Sequence, residues 1–192
     1  MFGNNRNGKN WRQLIIASAV AGFMGFGFAS MASEPAELNL SFDEPEKFTD
    51  IRPANENRTR FRERTLASFE RIFEEFAAEL PAGYQWTVTV TDIDLAGDVN
   101  PMYTRNGQDI RVVKDLYSPR VAFSHELRDA YGAQVVADDE NIRDMGFLQS
   151  PRMVGPRHQE LRYEYTMLKR WFERDLMPKI EAHQAKLPKV SE

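Results

Sequence analysis

The sequence predicts an α+β fold: a single two-layer domain in which a mostly antiparallel sheet of about five strands is covered by two amphipathic helices. Three observations predict it. Two long segments space their apolar residues by three and four, the helical period. Several short segments alternate apolar and polar residues, the period of a strand with one wet face. A tight, turn-forming link at residues 129–132 joins two of these, as antiparallel neighbours require. A sheet with one apolar face and helices with apolar stripes can then cover each other.

The elements follow in chain order. Ala36–Phe42 alternates, with Leu38, Leu40 and Phe42 on one face, and Pro45 and its charged neighbours end it. Arg58 to Leu80 is a helix with Phe61, Thr65, Phe69, Ile72, Phe73, Phe76 and Leu80 on one stripe. Asn55 or Asn57 caps its start, and Pro81 and Gly83 stop it. Tyr84–Thr91 is rich in β-branched and aromatic residues and is the strongest strand signal. Asp109–Val113 is a shorter strand, after turn signals at Asn100-Pro101 and Asn106-Gly107. Arg120–Leu127 and Ala133–Ala137 form a hairpin. Ile142–Leu148 fits a strand end or a short helix. His158 to Leu176 is a second long helix, with Leu161, Tyr165, Leu168, Phe172 and Leu176 on one face, and Pro178 breaks or kinks it. The tail over 181–192 is expected to fray. The link from the first strand through the first helix is long enough for a parallel crossover.

The first 32 residues differ from the rest. Arg6, Lys9 and Arg12 precede an apolar run from Leu14 to Ala29, and Ser30-Met31-Ala32 places small residues before Ser33. This is the layout of a secretory signal peptide cut near Ala32/Ser33. The run is short of the ~20 residues that span a bilayer and is loosened by glycines, so cleavage is favoured over an uncleaved anchor. The expected product is a domain over 33–180, periplasmic or secreted, with no membrane span after cleavage.

Composition excludes several classes. The leader carries three of the basic residues and no acid, from a chain already at −4, so the remainder is acidic. That argues against nucleic acid as partner, which needs a positive field. There is no cysteine, hence no disulfide, thiolate metal site or thiol nucleophile. His125, His158 and His183 lack metal-ligand spacing, and no motif signals a cofactor. Ser118 or Ser124 with His125 does not make a triad: no nucleophile elbow surrounds either serine, and neighbours on a strand point to opposite faces.

Two constellations remain. Asp92, Asp94 and Asp98, with Gly97, resemble the start of an EF-hand loop, but Ala96 stands at a ligand position and Tyr103 where the bidentate Glu belongs. If the strand alternation holds, Asp92 and Asp94 share the side of Trp86, Val88 and Val90. Carboxylates there must pair, with Arg111 and Arg120 as partners, or stay buried with raised pKa values and serve as acids. Pairing is the favoured reading. Arg58, Arg60, Arg62 and Arg64 crowd a helix start, where cations oppose the dipole. Compensation comes from nearby acids (Asp43, Glu44, Glu46, Asp50, Glu63) or from an anionic ligand.

A run of segments stands in this order along the chain: Pro45–Asn55, Phe61–Thr65, Leu80–Gly83, Val90–Gly97, Pro119-Arg120, Asp144-Met145, Leu161–Glu164, Met167-Leu168 and Trp171-Phe172. Together they resemble the bacterial exported family called domain of unknown function 3016, from about Leu38 to Leu176. The resemblance implies export and a single domain, and carries over no catalytic residue. His125 stands where the family pattern implies an aromatic residue.

The functional expectation is a non-enzymatic exported binding or interaction domain, with an envelope protein or an anionic ligand as partner. The alternatives are a hydrolase using Asp92 and Asp94 with an arginine, and a small-anion binder centred on Arg60 and Arg64.

Overall fold

The computed structural model describes residues 34–149 and 158–187. The predicted leader (1–32) and the last five residues of the predicted tail lie outside them. The main sheet has the order β1-β2-β5-β6, with β1 Glu37–Phe42, β2 Gln85–Asp94, β5 Arg120–Arg128 and β6 Gln134–Arg143. β1 runs parallel to β2, and the other two pairings are antiparallel. The parallel pair follows from its connection, because α1 (Arg58–Ala77) lies between the two strands in sequence. A separate two-stranded sheet, β3 Asp98–Arg105 with β4 Gln108–Val112, completes an α+β fold. β3 carries no period-two pattern and was not expected from the sequence.

Asn57 caps α1, its side chain accepting from the Arg60 N–H at 3.1 Å. The C-terminal helix starts at Arg162. It runs as α2 Arg162–Trp171, a π turn Phe172–Leu176, and α3 Met177–Gln184. Pro178 therefore does not end the helix. The proline lacks an N–H, and the wide turn just before it, in which Met177 N–H bonds to Phe172 O, relaxes the backbone. Residues 181–184 are helical, and His183 there reaches Asp129 at 2.8 Å. Among the described residues no helix is long and apolar enough to cross a membrane.

The core lies between the sheet and these helices. The α1 stripe meets Trp86, Val88 and Val90 of β2 and Phe123 of β5, all buried. Phe76 stacks on Phe172 with centroids 4.8 Å apart, and Phe123 meets Trp171 edge-on at 5.0 Å. Along β2, the alternating residues Thr87, Thr89 and Thr91 are exposed or half-buried on the opposite, polar face.

One expectation about this sheet is corrected. The β2–β5 register shifts between Val90 and Asp92, so Asp92 pairs with Ala122 and Asp94 with Arg120. The extra residue inverts the alternation. Ile93, fully buried, takes the core side, and Asp92 and Asp94 turn away from Trp86, Val88 and Val90.

Candidate functional site

The deviation at the end of β2 leads into an elbow, Leu95–Gly97, between β2 and β3. Gly97 makes the elbow possible: its φ is +85°, and a Cβ there would lie 2.8 Å from the Val112 carbonyl. Arg111 on β4 ties the elbow down. Its Nη1 donates to Asp50 Oδ2 at 2.8 Å and to Gly97 O at 2.9 Å, and its Nη2 donates to Arg52 O at 2.9 Å. From the helical side, Glu164 in the first turn of α2 accepts the Ala96 N–H at 2.7 Å. A carboxylate suits a helix N-terminus. Glu164 is nonetheless buried, and that burial raises its pKa against the opposing backbone hydrogen bonds and the charges of Arg111 and Arg162.

Between this elbow, the start of α1 and residues 159–164 lies a cleft of about 660 Å³. Its walls include Arg52, Arg64, Arg111 and Arg162, the carboxylates of Glu56, Glu160 and Glu164, and the apolar side chains of Phe61, Leu95, Val113 and Leu161. Arg64 is held by Glu56 through two 2.8 Å hydrogen bonds, and Glu160 sits 3.4 Å from its Nε. Bonding to Arg64 pulls the Glu56 carboxyl below its ordinary value, and the Glu56 bond in turn raises Arg64. The Arg162 guanidinium lies over the Tyr163 ring at 4.7 Å.

The residues singled out in the sequence divide among three places. Arg64 and Arg111 meet in the cleft. Arg120 pairs with Asp92, which also accepts from the Thr49 N–H and hydroxyl, both at 2.7 Å. Burial pushes the Asp92 carboxyl up, but the Thr49 and Arg120 contacts outweigh it and leave the carboxyl below its ordinary value. Asp94, half-buried on the same row, is raised by burial and by the Asp50 carboxylate across an isolated bridge. Arg60 is exposed on α1, and Asp98 opens β3 opposite Val112. Neither lines the cleft. Sequence reasoning missed Glu164 and Arg162. A carboxylate three residues into a helix reads as an ordinary first-turn acid, and only the approach of the β2–β3 elbow gives it another role.

The model of a family described as protein of unknown function (DUF3016) matches residues 36–174. The chain belongs to this family. No curated protein and no solved structure is matched by the chain. Several segments that carry the family resemblance supply the cleft's walls: Arg52, Ala54 and Asn55 from the first, Phe61, Arg64 and Thr65 from the second, Leu95 and Ala96 from the β2 end, and Leu161–Glu164.

Proposed function

We propose that this member of the DUF3016 family is a non-enzymatic binding domain that acts after export, in the periplasm or secreted, and holds a small anionic ligand in the cleft. One observation carries the reading. Four arginines from four separate segments reach one cavity that also has apolar walls, so an anionic group and a carbon skeleton can be satisfied together. Glu160 is the displaceable partner, since its side chain is 69% exposed and only 3.4 Å from Arg64. A hydrolase built on Asp92 and Asp94 has less support: neither residue lines the cleft, and Asp92 is already held by Thr49 and Arg120.

The test is thermal unfolding of the purified protein with phosphate, sulfate and small organic acids. A ligand at 100 times its Kd stabilises by about 2.7 kcal/mol, and the gain is expected to fall with added salt. Arg64→Ala with Arg162→Ala should abolish it. A flat response across all the anions, or a gain that survives the double substitution, overturns the proposal.

A further inference from the structure

We infer that the domain carries a second site, for a divalent ion of the zinc type, built from His125 on β5 and from Asp138 and Glu140 on β6. The backbone sets it up. β5–β6 register places His125 opposite Asp138 and Phe123 opposite Glu140, so all three side chains stand on the helix-covered face of the sheet. One imidazole nitrogen and two carboxylate oxygens lie within 4.8 Å of one another. Tetrahedral ligation at about 2.0–2.2 Å requires ligand atoms roughly 3.3–3.6 Å apart, so the three side chains close in slightly around the ion and leave a fourth position for water.

Two acids on an edge strand would by themselves be a solvated edge. His125 makes the difference. Its side chain is fully buried, and its Nε2 has no hydrogen-bond partner. That nitrogen faces Glu140 Oε1 at 3.7 Å, too long for a hydrogen bond. A buried polar atom left in this state is unfavourable, and a bound ion satisfies the Nε2 position. The charges agree as well: two carboxylates match a dication, and Lys179 already places its ammonium 2.6 Å from Asp138 Oδ2. Lys179 is 42% exposed and can swing into solvent when the ion enters.

Uptake has one internal cost, and it supplies a reporter. The Trp86 indole N–H faces His125 Nδ1 at 3.3 Å, so in the ion-free ring Nδ1 holds the lone pair and Nε2 the proton. On binding, the Nε2 proton leaves to solvent, Nδ1 takes one up, and the ring stays neutral. Trp86 then loses its acceptor.

The experiment titrates zinc chloride into the purified protein by calorimetry while the tryptophan indole N–H resonances are followed by NMR. The expected result is one zinc per chain at micromolar affinity, with the Trp86 resonance shifting in step. His125→Phe, which keeps an aromatic ring in the core, and Glu140→Gln, at the partly exposed strand edge, should each weaken binding by at least about tenfold. If His125→Phe fails to fold, Glu140→Gln and the Trp86 resonance still decide. Absence of binding overturns the site. So does affinity unchanged by the substitutions with a stationary Trp86 signal, which would assign the ion to the His158–Glu75 or the His183–Asp129 pair, each 2.8 Å apart.

Discussion

Replacing Arg111 with alanine should destabilise the whole domain, because this one side chain fastens three segments. It holds the Asp50 carboxylate and the carbonyls of Arg52 and Gly97. Breaking a buried ion pair from one side costs about 3–5 kcal/mol, mostly through the charge left behind. The Asp50 side chain is 7% exposed and that of Arg111 21%, so water reaches the pair only from the arginine end, and the lower limit of ~3 kcal/mol is expected. Asp50 then keeps only the exposed Arg52 guanidinium at 3.5 Å and the Arg52 N–H, so removing its charge as well, with Asp50→Asn, should recover about 1–2 kcal/mol of that loss as a coupling term. Arg111→Lys should rescue little, since an ammonium cannot reproduce the planar fork that reaches all three acceptors. Urea unfolding followed by the fluorescence of the buried Trp86 and Trp171 measures each step. A loss under about 1 kcal/mol for Arg111→Ala, or a double variant whose loss equals the sum of the singles, refutes the reasoning.

Phe76→Ala should cost about 3–5 kcal/mol in the same urea assay, since the ring is fully buried and stacked on Phe172. Burial holds His125 down to about 4 from its ordinary 6.5. The folded state then binds fewer protons than the unfolded chain in that window. Stability is therefore fully present above 6.5 and lost as pH falls towards 4. The slope is at most ~1.4 kcal/mol per pH unit, and His125→Phe should flatten it. Glu164 has the opposite sign: its raised pKa gives stability at low pH that fades as pH rises through the folded-state value. Glu164→Gln keeps an acceptor for the Ala96 N–H and removes that fade, so its advantage in melting temperature should widen with pH. A constant offset at every pH argues against it.

Local patterns made most of the fold legible. The stripe from Phe61 to Phe76 is the buried face of α1, with Phe61 half-exposed at its start and Leu80 buried just past the helix end at Ala77, three residues short of the expected stop, and the alternation around Trp86 marks β2. The parallel crossover followed from the length of its connection. What escaped depends on partners distant in sequence. The deviation near Asp92 is a mismatch between two strands, and β2 alone shows no sign of it. β3 is held by β4 and by a turn in which Asn106 and Gly107 take positive φ, so its own residues need not alternate. Pro178 signals a break because the rule concerns regular α geometry, and the π turn before it is not regular. For the cleft, Arg64 was visible as a cation in need of a partner and Arg111 as a partner for Asp92 or Asp94, but Arg111 pairs with Asp50 instead, and the meeting of both arginines with Arg162 and Glu164 is a product of topology. The nearness of His125 to two β6 carboxylates likewise depends on cross-strand register, which spacing between histidines cannot reveal.

The wide turn at Phe172–Leu176 sets the phase of everything after it. Leu168, Phe172, Leu176 and Ile180 recur at steps of four, and all are buried. In a regular α-helix each such step overshoots a full turn by about 40°, so three steps would swing Ile180 roughly 120° off the core. The slack turn absorbs part of that drift and works as a phase adjuster between two stretches of one helix. Deleting one residue there would rotate the last two turns as a block. Ile180 would leave its seat, and Lys179 and His183 would lose Asp138 and Asp129 at the same moment.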